Sequence, residues 1–241
     1  MRKNNEFKQD RKGWFRFMKS LMTKRYPKPE FRYLGEHFKG GAVILSNHEG
    51  TDSPMTMELY CDVPIRFWGA SEMNSGLVSL YKYQTRVYYH EKKHWNLHLA
   101  RLFCLIASPL TNLFYKGLNL ISTYHDVRFV KTLRESVDAI EKGQSIVIFP
   151  EDSTNGYLQQ LEGFHGGFVS LCDALKRKGI DVPIYCTFFK KAEGVYVVDR
   201  PVLYSEISRG THSRDEVAKR LLDRTNELSR GEYEKKSVMV S

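Results

Sequence analysis

His48 and Asp52 are the residues of this chain whose types and spacing best suit acid–base chemistry. A neutral imidazole beside a hydroxyl can take its proton as that hydroxyl attacks a carbonyl carbon. A carboxylate bonded to the other ring nitrogen fixes the tautomer and stabilises the imidazolium that forms. Because the two residues are four positions apart, they share one side of a first helical turn. Backbone N–H groups over residues 49–52 are then expected to stabilise an oxyanion.

Two apolar runs rich in β-branched residues lead into polar segments. Residues 42–45 precede Asn47 and His48, and residues 146–148 precede Phe149-Pro150-Glu151. Such runs, bounded by Gly and Pro, are typical of buried strands in a parallel sheet. Each motif alone could be a helix cap or a turn with a solvated glutamate. Together, at two strand ends of an open α/β sheet, they indicate a functional site.

Segments with strand and helix patterns alternate along the chain and predict an α/β fold. Its central sheet should be mostly parallel and flanked by helices, with an antiparallel hairpin near the end. No Pro-, Gly- or Ser-rich linker interrupts the chain, so we expect one domain over residues 29–241. A basic amphipathic N-terminal helix is expected before it, within residues 1–28. The predicted strands are residues 42–46, 63–68, 118–121, 145–149, 183–189 and 195–198. The predicted helices are one ending near residue 60, and residues 71–83, 95–115, 127–141, 163–178 and 213–230.

The positive charge is concentrated at the start of the chain. Of the net charge of +9, residues 1–28 supply a surplus of eight, from ten Lys or Arg and two acidic residues. A helix with one apolar face and a basic back suits the surface of an anionic membrane. The alternatives are a helix packed on its own domain and a nucleic-acid-binding arm. The latter is disfavoured, because no basic run interleaved with aromatic residues continues into the body of the chain. The apolar face holds Trp14, Phe15, Met18, Leu21 and Met22.

No membrane span or export signal is predicted. The longest apolar stretch, residues 102–110, is nine residues long, whereas a span needs about 20. Arg16 and Lys19 interrupt the one candidate signal region. The four cysteines form no Cys-x-x-Cys pair and are expected to be reduced. We therefore expect a cytoplasmic protein, peripheral on the inner face of the membrane, with no metal and no tightly bound cofactor.

The order and the residues of these motifs resemble those of the glycerolipid acyltransferase family, whose best-known members acylate lysophosphatidate. The resemblance covers about residues 31–205. Asn47-His48 with Asp52 resembles the family's catalytic His–Asp motif, and Phe149-Pro150-Glu151 resembles its third motif, whose Glu helps to bind the acceptor. Further similar segments are Tyr33-Leu34-Gly35-Glu36, the pattern Leu161, Phe164, Gly166 and Gly167, Val182-Pro183-Ile184, and Arg200-Pro201-Val202.

Three departures from the family pattern bear on the substrate. The family usually has four residues between His and Asp; this chain has three, with Ser53 at the strict position. Residues 152–155 replace the usual Gly-Thr-Arg-Ser, and Thr123 stands where the second motif usually ends in Arg. Both absent arginines would contact the acceptor phosphate, which guanidinium groups bind bidentately. Either another cation serves, with Arg128 and His125 nearest in sequence, or the acceptor has no phosphate monoester.

The resemblance implies an O-acyltransferase that moves a fatty acyl group from acyl-CoA or acyl carrier protein to a lipid hydroxyl. Lysophosphatidate would be the acceptor in phospholipid synthesis, with His48 as general base and Asp52 as its orienter. Because a thioester is already activated, transfer would be direct. The alternatives are a phosphate-free lipid acceptor and a non-catalytic, lipid-binding member of the fold; a serine hydrolase is disfavoured, since no Gly-x-Ser-x-Gly elbow is present. The expected substrate-binding residues are Asn47, Glu151, Asp152, Ser153, Thr154, Asn155, Gly156 and Arg128.

Overall fold

An eight-stranded sheet forms the centre of the computed structural model, which describes residues 12–151 and 158–231. Continuous apolar, β-branched runs form its inner strands, as expected for strands covered on both faces. The strands are β1 (Glu30–Tyr33), β2 (Val43–Ser46), β3 (Ile65–Ala70), β4 (Ile121–Thr123), β5 (Ser145–Ile148), β6 (Pro183–Lys190), β7 (Val195–Val198) and β8 (Val202–Leu203).

The strand order is β1-β7-β6-β2-β5-β3-β4, and β8 pairs with the start of β6. Strands β6, β2, β5, β3 and β4 run parallel, whereas β7 is antiparallel to β6 and β1 follows the direction of β7. The structure therefore confirms the predicted α/β fold with a mostly parallel sheet and a late antiparallel hairpin. Because β2 and β5 are parallel neighbours, their carboxyl ends lie side by side.

Helices cover both faces of the sheet. Side chains of β2 alternate between two apolar cores: Val43 and Leu45 belong to one and Ile44 to the other. The first core is shared with α6, α7 and α9, and the second with α1, α2 and α5. The helices are α1 (Gly13–Met22), α2 (Asp52–Tyr60), α3 (Ser71–Asn74), α4 (Leu77–Tyr83), α5 (Leu97–Leu118), α6 (Phe129–Glu141), α7 (Gly167–Arg177), α8 (Tyr204–Ile207) and α9 (Arg214–Arg230).

Helix α1 packs against the domain through Phe15, together with the partly buried Met18 and Met22. Phe15 is fully buried and contacts Phe114 of α5, with ring centroids 5.3 Å apart. Gly117 faces the same ring, and a Cβ at this position would overlap the Phe15 ring. Trp14, Phe17 and Leu21 of α1 remain exposed. Part of the apolar face of this helix therefore packs on its own domain, and part faces outward.

Several predicted boundaries are wrong by a few residues, with local causes. The strand expected at 118–121 begins at Ile121, because α5 continues to Leu118 and ends at Asn119 in the left-handed conformation. The helix expected over 71–83 is divided near Gly76, whose φ of 93° is incompatible with a continuous helix. After α4 the chain continues as a π-helical segment, Gln84–Lys92.

Helix α5 corrects the expectation that no segment is long enough to span a membrane. Among the described residues it is the one helix with the length and apolar composition to cross a bilayer, a finding that concerns length and composition alone. The sequence estimate counted only the uninterrupted apolar residues 102–110, whereas the helix that contains them is 22 residues long. Ser108 is buried and donates a 2.8 Å hydrogen bond to Gln84 Oε1, so its hydroxyl does not interrupt the apolar outer face.

Candidate active site

His48 lies in the loop between β2 and α2, where that loop meets the end of β5. The main-chain N–H of His48 donates a 3.0 Å hydrogen bond to Glu151 Oε1. The rings of His48 and Phe149 pack edge to face, with centroids 5.0 Å apart. These contacts follow from the register of the parallel pair, in which Leu45 is opposite Ile148. The structure thus brings together two motifs that are about a hundred residues apart in the sequence.

Glu151 is a buried carboxyl group at this meeting point. Its residue is 8% exposed, and it forms an isolated bridge with Phe164. Burial raises the pKa of Glu151 to about 7, although the hydrogen bond from His48 acts in the opposite direction. Its Oε2 atom is buried and has no hydrogen-bond partner among residues 12–151 and 158–231. A carboxyl group in this state can exchange a proton near neutral pH and can bind a polar substrate group.

Asn47 has a different role from the substrate-binding one expected from sequence. Its side chain is 1% exposed, and its amide forms two hydrogen bonds with the main chain of Phe189 in β6. The side-chain NH2 donates to the Phe189 carbonyl at 3.2 Å, and the side-chain oxygen accepts from the Phe189 N–H at 2.6 Å. The expectation for Asn47 is corrected, because its amide is used by the protein itself. The two hydrogen bonds hold Asn47 against β6 and thereby fix the start of the loop that carries His48.

Asp52 is the first residue of α2, and its carboxylate contacts a cation. Asp52 Oδ2 lies 2.7 Å from Nζ of Lys191, a residue in the turn between β6 and β7. The predicted hydrogen bond from His48 to Asp52 stays a prediction, since the Asp52 carboxylate pairs with Lys191 in this structure. Glu49 lies nearby, and burial raises its pKa while Lys191 acts in the opposite direction. Two carboxylates and one ammonium group therefore share the outer side of the loop.

The loop of residues 49–52 has a defined hydrogen-bond pattern. The Glu49 N–H donates to Ser53 Oγ at 3.0 Å, and the Asp52 N–H donates to the Glu49 carbonyl. Gly50 has a φ of 58°, which glycine adopts without strain. Within the described part of the chain, the N–H groups of Gly50 and Thr51 have no acceptor. Of the donors predicted for an oxyanion, these two remain available.

Ser53 occupies the position where the strict family spacing would put the acid. It is fully buried, and its carbonyl accepts a 2.7 Å hydrogen bond from the Tyr196 hydroxyl. Its Oγ accepts from Glu49, as described above. Ser53 therefore fixes the start of α2 from the inside, and a carboxylate at this position would be buried.

The remaining predicted residues divide into two groups. Arg128 follows β4 at the same edge of the sheet, but β4 is three strands from β2, roughly 14 Å away. Its guanidinium pairs with Asp126 at 2.7 Å and lies over the ring of Tyr124. The structure therefore does not bring Arg128 to His48. Asp152, Ser153, Thr154, Asn155 and Gly156 lie outside the described residues.

Sequence reasoning missed two cations beside the loop. Lys191 is 56% exposed in its side chain, and Arg25 is close enough to act on its pKa. The chain near Arg25 is held to the loop by a 3.3 Å hydrogen bond between the hydroxyls of Tyr26 and Thr51. A cavity of about 400 Å³ adjoins Lys191, with Glu49, Phe188 and Phe189 in its lining. No local motif marks Lys191, because it reaches the loop only through the position of β6 beside β2.

The chain was compared with known proteins. No family model matches it, and no curated protein matches it. Among solved structures, it is similar to the crystal structure of the 1-acyl-sn-glycerophosphate (LPA) acyltransferase, PlsC, from Thermotoga maritima. The TM-score is 0.53 at 11% identity, over 90% of this chain and 78% of that chain. At this identity the likeness is one of fold, and it confirms the glycerolipid acyltransferase-like fold that the motifs predicted.

Proposed function

We propose that this protein is an O-acyltransferase of glycerolipid synthesis. It would transfer a fatty acyl group from acyl-CoA or acyl carrier protein to a lipid hydroxyl, with lysophosphatidate as the favoured acceptor. The observation that carries the proposal is the contact between the His48 main chain and the Glu151 carboxyl group, where two parallel strands end. The fold shared with the PlsC structure gives this arrangement its chemical context.

In the proposed mechanism the acceptor hydroxyl attacks the thioester carbonyl while His48 removes its proton. The oxyanion would be stabilised by the N–H groups of Gly50 and Thr51. Collapse of the tetrahedral intermediate breaks the carbon–sulfur bond, and the proton on His48 passes to the departing thiolate. Asp52 would orient the imidazole, and Glu151 would bind the acceptor. No acyl-enzyme and no metal ion take part in this scheme.

The direct test is thiol release from palmitoyl-CoA in the presence of vesicles, with and without lysophosphatidate. We expect release that needs both the acceptor and His48, and we expect His48→Ala to reduce it by at least about 100-fold, the lower range for a positioned base. His212→Ala is the matched control, because His212 is exposed at the start of α9. An active His48→Ala variant would refute the mechanism. Absence of release with every donor and acceptor, with vesicle binding intact, would favour the non-catalytic alternative.

We also propose that an anionic lipid surface contacts the outward face of α1 and α5, and that the protein binds there peripherally, on the cytoplasmic side. The outer side of α5 carries a continuous row of large apolar residues, and apolar side chains of α1 are exposed as well. Exposed apolar patches of this kind mark contact surfaces. The residues are Leu99, Leu102, Leu105, Ile106 and Leu110 of α5, with Phe17 and Leu21 of α1.

The membrane proposal is tested by flotation with vesicles that contain anionic lipid. Ile106 is 81% exposed at the middle of α5, so Ile106→Glu should weaken binding because it introduces a charge into the contact. Val127→Glu is the control; Val127 is 89% exposed but precedes α6, away from this face. Equal binding by both variants would refute the assignment. Release of the native protein from membranes by alkaline carbonate is expected, and resistance would indicate that α5 spans the bilayer.

A further inference from the structure

Lys191 occupies an unusual position for a surface lysine. It follows the last residue of β6, and its ammonium group lies 2.7 Å from the carboxylate that is expected to orient the candidate base His48. The lysine side chain is 56% exposed, whereas that of Asp52 is 17% exposed. An ion pair whose lysine is more than half exposed gains little from its Coulomb attraction. The cation is therefore held beside the site without being locked into it.

A cavity lies beside the loop, next to Lys191. The cavity of about 400 Å³ between the loop and the β6–β7 turn is lined by Lys190 and Lys191 as well as by Glu49, Phe188 and Phe189. The lining combines apolar side chains with two lysines and two glutamates, Glu49 and Glu193, so Lys191 is one of several charged groups that a ligand would meet there. Neither of the family's usual phosphate-binding arginines is present to supply positive charge.

We propose that Lys191 exchanges partners during turnover: it leaves Asp52 to bind a phosphate group of the substrate, and thereby frees Asp52 to orient His48. This inference rests on the proposed acyltransferase function. It makes the substrate of the site a phosphate-bearing one and assigns its recognition to the β6–β7 turn. Lys191 is a binding and positioning residue in this scheme, because it acts on catalysis through Asp52.

The exchange is favourable on simple electrostatic grounds. A phosphate monoester carries up to two negative charges and three acceptor oxygens, so it competes well with one carboxylate for an ammonium group. Asp52 then loses its cation at the moment when substrate is bound, and the imidazole N–H becomes the available donor. The base would be oriented only when the anionic substrate is in place, which couples recognition to catalysis.

The kinetic test compares Lys191→Gln with the native protein on acceptors with and without phosphate. Loss of one hydrogen bond to a charged group should raise KM for lysophosphatidate by about 10- to 100-fold. KM for monoacylglycerol, which has no phosphate, should change less than about twofold. Lys191→Arg keeps the charge and should retain most of the discrimination. Lys178→Gln is the matched control, because Lys178 is also a half-exposed lysine, paired at 2.8 Å with Glu141 and remote from the loop.

The phosphate could also belong to the acyl donor, and a second arm distinguishes the two sources. If Lys191 binds coenzyme A, Lys191→Gln should raise KM for palmitoyl-CoA and leave KM for palmitoyl-pantetheine unchanged. Either selective result supports a phosphate site at Lys191 and identifies its source. An equal loss on all substrates, or kinetics identical to those of Lys178→Gln, would overturn the inference.

A binding measurement separates this inference from the proposed function. Glycerol 3-phosphate is titrated into protein labelled with ¹⁵N-histidine, and the ring nitrogen signals of His48 are followed. Partner exchange predicts a shift of these signals in the native protein and in Lys178→Gln, and no shift in Lys191→Gln. This result would support the exchange even if no acyl transfer were detected. Absence of a shift in the native protein at saturating glycerol 3-phosphate would overturn it.

Discussion

Replacement of Glu151 by glutamine should remove a large pH dependence from the stability of this protein. The folded-state pKa of Glu151 is raised to about 7 from a reference value of 4.5, mainly because the carboxyl group is buried. The folded protein therefore binds this proton more tightly than the unfolded chain does. The stability contributed by the protonated group is fully present below pH 4.5 and is lost as the pH rises through about 7.

The magnitude follows from the size of the shift. A difference of roughly 2.5 pKa units, at about 1.36 kcal/mol each, corresponds to about 3 kcal/mol between acidic and mildly alkaline pH. Glutamine is uncharged at every pH, and its carbonyl oxygen can still accept the hydrogen bond from the His48 N–H. The Glu151→Gln protein should therefore lack this component while it keeps the contact between the two strand ends.

Urea denaturation at about pH 5 and about pH 8 measures the effect directly. Between these values the native protein should lose about 2–3 kcal/mol more of its free energy of unfolding than Glu151→Gln does. Glu91→Gln serves as the control, because Glu91 is exposed on the π-helical segment and its replacement should leave the native pH dependence unchanged. Parallel profiles for the native and Glu151→Gln proteins would refute the reasoning that burial holds this proton.

Three further substitutions test the packing around the site. Gly117→Ala forces a Cβ against the Phe15 ring and should lower the free energy of unfolding by about 1–3 kcal/mol in urea denaturation. Gly13→Ala is the control, because its new Cβ would have no atom within 4 Å and should not destabilise the protein. Equal stability of the two variants would contradict the packing of α1. Tyr196→Phe removes the donor to the Ser53 carbonyl and should cost about 1–3 kcal/mol; an unchanged urea midpoint would show that this bond contributes nothing. Ser53→Asp restores the strict family spacing but buries a carboxylate, so it should lower the melting temperature more at pH 8 than at pH 5. A variant as stable as the native protein would show that this position is accessible to water.

The strands around the site could be predicted from sequence because their information is local. The runs that form β2 and β5 are apolar, β-branched and bounded by turn residues, so their ends were predicted to within one residue. The juxtaposition of His48 and Glu151 then followed from the geometry of adjacent parallel strands. The boundary between α5 and β4 was less accurate, since Leu118, Leu120 and Ile121 form an apolar run in which Asn119 is the only helix-ending signal.

The partners of the site's side chains could not be predicted, because they depend on long-range sheet order. Asn47 bonds to a residue 142 positions away, and nothing near either residue indicates the pairing. The pairing of Lys191 with Asp52 depends likewise on β6 lying next to β2. The amphipathic pattern of α1 indicated an apolar face but not which of its side chains would be buried, since that depends on the space left by Gly117.

The two hydrogen bonds between Asn47 and Phe189 have a consequence for how this protein opens. They join the residue before His48 to β6, the strand next to β2, so this part of the loop cannot detach unless both bonds break. In hydrogen exchange, the Phe189 amide should therefore be among those that open only with global unfolding. On this expectation, His48 is attached through Asn47 to a slow-opening part of the sheet. Access to it has to come from the movement of other segments, and its own position is set when the sheet folds.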